Sequence, residues 1–301
     1  MRAIVVGAVE STRVALAALA RAPGWQVAAV ITLPPELASR HSDFVDLAPT
    51  AASAGAELIH AADSNAPGIT ARVAALAPDL AFVIGWSQIC RAEFIAAAGG
   101  AIIGYHPAPL PRLRGRAVIP WTILQGEAIT AGTLFRVDEG LDSGPIIGQR
   151  FFHVASDETA TTLYAGHMKA LAGLMDDALP GLAAGSLPGT PQDERHATWA
   201  ARRGPRDGRI DWHQPAAVVD RLVRAVTRPY PGAATATTQG PLTVWTTRYW
   251  PDGSRHVAAA GQVIERGDDG FAVMCGDGRA LFVSGWQGNR PRRHEILGAQ
   301  A

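Results

Sequence analysis

The chain has 301 residues, of which 48% are hydrophobic and 18% charged. That is enough for one large α/β domain or two ordinary ones, and too apolar for a disordered chain. Lys plus Arg and Asp plus Glu both number 27, so the formal charge is zero, which argues against a polyanion as the main partner while leaving room for a local basic patch. No apolar run reaches membrane-spanning length, because Ala15 to Ala20 is soon followed by Arg21, Pro23 and Gly24. The two cysteines, Cys90 and Cys275, lie far apart without a CxxC spacing, which suggests neither a disulfide framework nor a zinc cluster. A soluble cytoplasmic protein with no membrane partner and no metal is expected.

Ala3 to Val6 reads as a first buried strand rather than a cleavable signal. A helical spacing over Thr12 to Leu19 and a strand over Val27 to Thr32 follow. Ile69 to Leu76 and Ala92 to Ala98 read as helices alternating with strands at Leu80 to Ile84 and Ala101 to Ile103. This alternation predicts an α/β domain with a parallel-rich sheet and helices on both faces. Ligands then belong at the carboxyl ends of the strands, in the loops Gly7 to Ser11, Gly85 to Cys90 and Gly104 to Arg116. Thr159 to Leu179 reads as a long amphipathic helix with Asp157 near its start as a cap. Gly181 to Arg206 lacks sustained periodicity and looks like a linker. Beyond it, one helix over Ala216 to Val226 precedes short β runs at Leu242 to Thr246, Ala258 to Ile264, Gly270 to Met274 and Ala280 to Val283. These suggest a small β-barrel or sandwich, with Asn289 to Ala301 frayed. The expected division is a first domain over 1–188, a linker over 189–208 and a second domain over 209–301.

Gly7-Ala8-Val9-Glu10-Ser11 sits where a nucleotide fingerprint would, but it lacks the later glycines of GxGxxG, so a tight turn into a helix is the plainer reading. Arg40-His41-Ser42-Asp43 with Asp46 is a polar loop cluster, most simply a solvated loop. The informative stretch runs from Gly104 to Arg116. His106 ends a buried strand and is followed by Pro107, Pro109 and Pro111, which fix φ and stiffen the loop. Further on, Asp138-Glu139-Gly140-Leu141-Asp142-Ser143-Gly144 is a glycine-bounded acidic turn. A histidine and an aspartate on rigid loops at one sheet edge form an orienting pair, in which the carboxylate fixes the imidazole tautomer and favours its charged form.

The segments His106 to Arg116, Ile119 to Glu127 and Asp138 to Ile147, with Gly85-Trp86-Ser87-Gln88-Ile89 and Gly7 to Glu10, resemble the formyltetrahydrofolate-dependent formyltransferases. Pro205 to Trp212 and Arg224 to Ala233 are similar to the carboxy-terminal domain of methionyl-tRNA formyltransferase. The resemblance implies a Rossmann-like formyl-transfer domain, a C-terminal OB-like β-barrel and 10-formyltetrahydrofolate as donor. The family's site is an Asn-x-His followed by an Asp; His106 and Asp142 match the last two, while Gly104 stands at the asparagine position. One formyl-oxygen donor is therefore missing. Gln88 or Ser87, a backbone N–H or water could replace it, or the chain could be slow or inactive; Gln88 is favoured for its amide and its reach. Trp86, Ser87, Gln88, Ile89, Leu110, Pro111, Asp138 and Gly140 are the candidate folate contacts. Glu10, Ser11, Asp43, Arg114 and Arg116 are the candidate acceptor contacts, and Cys90 is packing rather than a nucleophile.

The acceptor amine is expected to be that of a nucleotide-linked amino sugar, followed by an amino-acid amine and then methionyl-tRNA, whose binding is strongly electrostatic. A hydrolase or a non-catalytic folate-binding module is the alternative of another class. The oligomeric state is open.

Overall fold

Arg2–Val6 (β1) buries its last four residues, as a strand covered on both faces must. A computed structural model describes residues 1–298. They form two units, one built from Met1–Val118, Ile129–His153 and Tyr164–Ala201, the other from Ile119–Ala128, Val154–Leu163 and the chain from Arg202 on.

After β1 come α1 (Glu10–Arg21), β2 (Gln26–Thr32), α2 (Ala48–Ser53), β3 (Glu57–His60), α3 (Pro67–Leu76), β4 (Leu80–Val83), α4 (Ala92–Ala97) and β5 (Ile102–His106). A two-residue strand β6 (Arg114–Gly115), helix α5 (Val118–Gln125), strands β7 (Ile129–Arg136) and β8 (Ile146–His153), helix α6 (Ala160–Ala183) and strand β9 (Trp199–Ala200) follow. The sheet runs in the order β3-β2-β1-β4-β5-β7-β8. Its first five strands are parallel, and β7 and β8 are antiparallel additions. Side chains alternate across it. Ala3 and Val5 pack with Leu16, Leu19, Leu171 and Met175 on one face, and Ile4 and Val6 with Ile31, Val73 and Phe94 on the other. The chain reverses its direction of travel across the sheet between β1 and β4, so their carboxyl ends open the crevice where such sheets hold ligands.

Strands β3, β7 and β8 have no counterpart among the runs expected from the sequence. Helix α6 extends past Leu179 and through Pro180. Thr159, not Asp157, serves as its cap: Thr159 Oγ1 accepts from the Thr162 amide at 3.2 Å, and Thr162 Oγ1 accepts from the Thr159 amide at 3.1 Å. No helix among the described residues is long and apolar enough to cross a membrane.

In the second unit, α7 (Ala216–Val226) buries Val219, Val223 and Val226, one stripe at helical spacing. Strands β10 (Ala233–Thr237), β11 (Gly240–Trp250), β12 (Val263–Gly267), β13 (Gly270–Met274) and β14 (Ala280–Gln287) form an antiparallel sheet in the order β10-β11-β14-β13-β12. Of the β run expected over Ala258 to Ile264, only Val263 and Ile264 lie in a strand. The segment expected to fray is docked: the Leu297 amide donates to Gly261 and the Val263 amide to Glu295, and Leu297 is buried. Residues 299–301 of that expectation lie outside the described residues.

Candidate active site

His106 is the last residue of β5 and is 5% exposed. Its Nε2 lies 2.7 Å from the Leu113 carbonyl oxygen. A carbonyl only accepts, so Nε2 carries the proton and donates. Its Nδ1 faces Asp142 Oδ2 at 3.6 Å, the distance of an ion pair rather than of a direct hydrogen bond. The proline loop beyond His106 is tethered along its length. Thr133 Oγ1 donates to the Ala108 carbonyl at 2.7 Å, Gln149 Nε2 to the Leu110 carbonyl at 2.8 Å, and the Leu113 amide to Thr198 Oγ1 at 2.9 Å. Leu113, Ala117 and Asp142 all have left-handed φ values of 53–58°, a backbone conformation that non-glycine residues adopt only when their surroundings enforce it.

The acidic turn is built around Asp138, whose Oδ1 accepts from the Gly140 amide at 3.0 Å and from Ser143 Oγ at 2.9 Å. Two further contacts aim Asp142. Its Oδ2 accepts from the Gly115 amide at 2.8 Å, and Gln192 Nε2 donates to the carbonyls of Asp142 and Gly144, both at 2.8 Å. Gln192 Oε1 in turn accepts from Arg114 Nε and Nη2 at 3.1 and 2.8 Å. β9 pairs with β6, and Thr198 bonds both Pro111 and Arg114 through its backbone. Residues 192–200, within the stretch expected as a linker, thus brace both functional loops. Nothing in the sequence marked Gln192 or Thr198, because their partners lie about fifty residues or more away in the chain.

The Gly85 loop abuts the first loop, with the Ala8 amide donating to the Gly85 carbonyl at 3.3 Å. Trp86 Nε1 donates to Ser64 Oγ at 3.0 Å. Ser87 Oγ is 3.3 Å from His41 Nε2, and Ile89 is 70% exposed. Among the described residues, none of the backbone N–H groups of Trp86 to Ile89 donates to a protein acceptor. The Gln88 amide is engaged away from His106. Its Nε2 donates to the Ala62 carbonyl at 2.8 Å and its Oε1 accepts from the Ser64 amide at 3.3 Å. Leu110 is buried and Pro111 half-buried.

The acceptor candidates divide. Glu10 pairs with Arg13 on its own helix, and Ser11 is buried. Asp43 accepts from the Tyr164 hydroxyl at 2.7 Å. Arg114 is 3% exposed and fully engaged by Gln192 and Glu194, so its guanidinium is a structural tie. Arg116 is exposed and, with Arg40, acts on His41. Burial is the largest influence lowering the His41 pKa; the two arginines add to it, and Asp43 opposes them.

An ideal Cβ on Gly104 would stand 3.0 Å from the Phe135 ring and 3.0 Å from Val137 Cγ2. The space that an asparagine side chain would enter is therefore filled from β7 and its following residue. Burial pushes the Cys90 thiol up to about 11, which leaves it protonated and a poor nucleophile at neutral pH. Among the described residues, no group of three His, Cys, Asp or Glu side chains is gathered as a metal site requires.

His167 is fully buried, with no partner for Nε2. Tyr105 Oη donates to its carbonyl at 3.0 Å. Burial, helped by the charge of His106, pushes the His167 pKa down to about 3. Because an unfolded histidine titrates near 6.5, the unfolded state takes up the proton first as the pH falls. Stability is therefore expected to drop from about pH 6.5 toward pH 3, by on the order of 5 kcal/mol in total. Denaturant unfolding at pH 7 and pH 4.5 checks this, and His167→Gln should flatten the difference.

The chain matches the formyl transferase family over residues 1–177 and the formyl transferase C-terminal domain over residues 204–292. HypX from Aquifex aeolicus, solved with tetrahydrofolic acid, superposes with a TM-score of 0.68 at 20% identity, over 99% of this chain and 45% of HypX. This chain therefore spans less than half of that protein. WlaRD, a sugar 3N-formyltransferase solved in the presence of dTDP and 5-N-formyl-THF, gives 0.66 at 15% identity over 94% of this chain and 97% of its own. The N-formyltransferase from Helicobacter canadensis, in complex with folinic acid and dTDP-3-aminofucose, gives 0.64 at 14% identity over 94% and 98%. At such identities the three structures speak for the fold alone, whereas the two family matches together take in most of the sequence. On those matches, the chain belongs to the formyl transferase family.

Proposed function

We propose that this chain transfers a formyl group from 10-formyltetrahydrofolate to an amine, with the amino group of a nucleotide-linked sugar as the acceptor. The observation that carries this reading is the pairing of His106 with Asp142 beside the open backbone amides of Trp86 to Ile89. Those amides and the exposed Ile89 suit a flat, hydrogen-bonding heterocycle such as the pterin, which the loop would hold by its edge. The folate supplies the activated formyl group. Everything else falls to the protein.

The attacking amine must lose a proton, and the formyl oxygen gains negative charge as it does so. With Nε2 protonated against Leu113, Nδ1 is the basic atom of neutral His106. A proton taken there makes an imidazolium that the Asp142 carboxylate stabilises, and its return to N10 as the bond from the formyl carbon to N10 breaks releases tetrahydrofolate and leaves the formamide. The Gly115 amide holds that carboxylate, and Gln192 holds the backbone carbonyl of the same residue. Donation from Nε2 to the formyl oxygen requires the ring to exchange the Leu113 carbonyl for it. The donor role proposed for Gln88 likewise requires its amide to leave the Ala62 carbonyl. Cationic Arg40 and Arg116 around His41 and Ser87 suit a diphosphate, and Asp43 with Tyr164 suits sugar hydroxyls. Two of the three related structures were solved with dTDP or a dTDP-sugar, which supports the choice of a nucleotide-linked acceptor.

Gln192→Ala should lower kcat about tenfold while leaving KM nearly unchanged, because it loosens the aim of Asp142 rather than a substrate contact. Steady-state kinetics with a saturating donor checks the split. The acceptor itself is tested by following tetrahydrofolate release with dTDP-amino sugars, free amino acids and methionyl-tRNA in turn. Release with the sugar nucleotides alone is the expected result. Turnover with methionyl-tRNA and none with the sugars would overturn the acceptor class.

A further inference from the structure

The loop with the open amides, Gly85 to Arg91, joins β4 to α4 and contains no helix or strand. Its two ends are fixed. The Ile84 amide donates to the Val6 carbonyl at 2.9 Å, and Phe94 of α4 is fully buried. Between those ends the backbone has no ladder to hold it, and conformational entropy opposes any single arrangement of its amides.

The segment that follows β3 supplies the missing support. The Ala61 amide donates to the Thr32 carbonyl at 2.8 Å, which extends β3 by one residue. Residues 62–65 then bond the loop repeatedly. Ser64, fully buried, accepts from Trp86 Nε1 at 3.0 Å and donates its amide to Gln88 Oε1 at 3.3 Å, and the Ala62 carbonyl accepts from Gln88 Nε2 at 2.8 Å. These three bonds end on side chains, so they leave the loop backbone able to turn.

Asn65 grips the backbone itself. Its Nδ2 donates to the Ile89 carbonyl at 3.0 Å, and its Oδ1 accepts from the Arg91 amide at 2.8 Å. The two peptide planes on either side of Cys90 are thereby fixed, and the first of them sets ψ of Ile89, whose amide is the last of the four open ones. Asn65 is held in turn by Asp63, whose Oδ1 accepts from Asn65 Nδ2 at 3.1 Å and from the Asn65 amide at 2.9 Å. A carbonyl and a carboxylate only accept and an amide N–H only donates, so one orientation of the Asn65 side chain satisfies all of its partners.

We propose that Asn65 is a positioning residue for the formyl donor, an inference that rests on the formyl-transfer reading. It acts through the backbone of Ile89 and Arg91 and holds the amides of Trp86 to Ile89 in the arrangement that receives the heterocycle. A loop ordered in advance spends less binding energy on its own ordering. The effect therefore falls on donor affinity, and neither on the amine nor on the proton transfers at His106.

The test is calorimetric titration of the full-length protein with 5-formyltetrahydrofolate, together with steady-state kinetics and melting temperatures. Asn65→Asp keeps the size of the side chain and the acceptor for Arg91, but sets oxygen against oxygen at Ile89 and Asp63. Asn65→Leu removes all of these bonds without adding charge, and it decides the matter if Asn65→Asp destabilises the turn. Each variant is expected to weaken folate binding about tenfold, as loss of one or two hydrogen bonds does. The donor KM should rise by a similar factor, with kcat at saturating donor and the acceptor KM nearly unchanged. Folate affinity that is the same in native protein and in both variants overturns the proposal. Equal losses in donor KM, acceptor KM and kcat also overturn it and make Asn65 a general support of the fold. Native protein that binds no folate overturns the donor reading and this inference with it.

Discussion

His106→Ala is expected to reduce formyl transfer by roughly 10² to 10³-fold while the protein stays folded, and Asp142→Asn to do nearly the same. The double variant should be little worse than either single one. The reason lies in how the two side chains depend on each other. His106 has one nitrogen fixed by Leu113 and the other facing Asp142, so it gains a proton productively only with the carboxylate present. Asp142 in turn has its Oδ2 held by the Gly115 amide and its backbone by Gln192, so without His106 it stays aimed at a proton that no longer arrives. Residues that act as one unit lose their effect together rather than additively. Equal kcat for Asp142→Asn and the native enzyme would reduce the acidic turn to a structural element.

Gly144→Ala should be as damaging as loss of Asp142 although position 144 carries no chemistry. A Cβ there would stand 1.7 Å from the Arg136 carbonyl oxygen, a backbone atom of β7 that cannot rotate aside. The turn must move, and it carries Asp142 and the carbonyl that Gln192 grips. A loss of activity of about 10²-fold is expected, with destabilisation of about 1–3 kcal/mol. Gly140→Ala is the matched control. Its Cβ would meet Ser143 Oγ at 2.0 Å, a side-chain end that can rotate away at the cost of its bond to Asp138, so most of the activity should survive. Kinetics and melting temperatures of the two alanine variants side by side separate the cases, and equal activity in both would remove the steric argument.

The parallel half of the first sheet was legible because Ala3 to Val6, Val27 to Thr32 and Leu80 to Ile84 are short apolar runs bounded by turns, the pattern of strands buried on both faces. β7 was not, since Ile-Thr-Ala-Gly-Thr-Leu-Phe-Arg has no clean period and is a strand through its pairing with β5 and β8. β8, half exposed at the sheet edge, has no stronger signal. The stiff loop after His106 and the acidic turn around Asp142 stood out by composition. Arg114 did not reveal its role, because a buried arginine and a substrate-binding one look alike until Gln192 and Glu194 are seen to engage it. The missing asparagine at Gly104 was visible in the sequence. That Phe135 and Val137 fill its place depends on the register of β5 against β7, which pairing alone determines.

If the formyl group passes to an amine at the His106–Asp142 pair, the fate of its carbon reveals the transfer. The protein is supplied with 10-formyltetrahydrofolate carrying a ¹³C label on the formyl carbon, with and without dTDP-amino sugar, and the label is followed by NMR. The label is expected to appear as a formamide on the acceptor, only when the acceptor is present, and His106→Ala is expected nearly to abolish it. Label released as formate at the same rate with or without the amine would rule out transfer to an amine and make the chain a hydrolase.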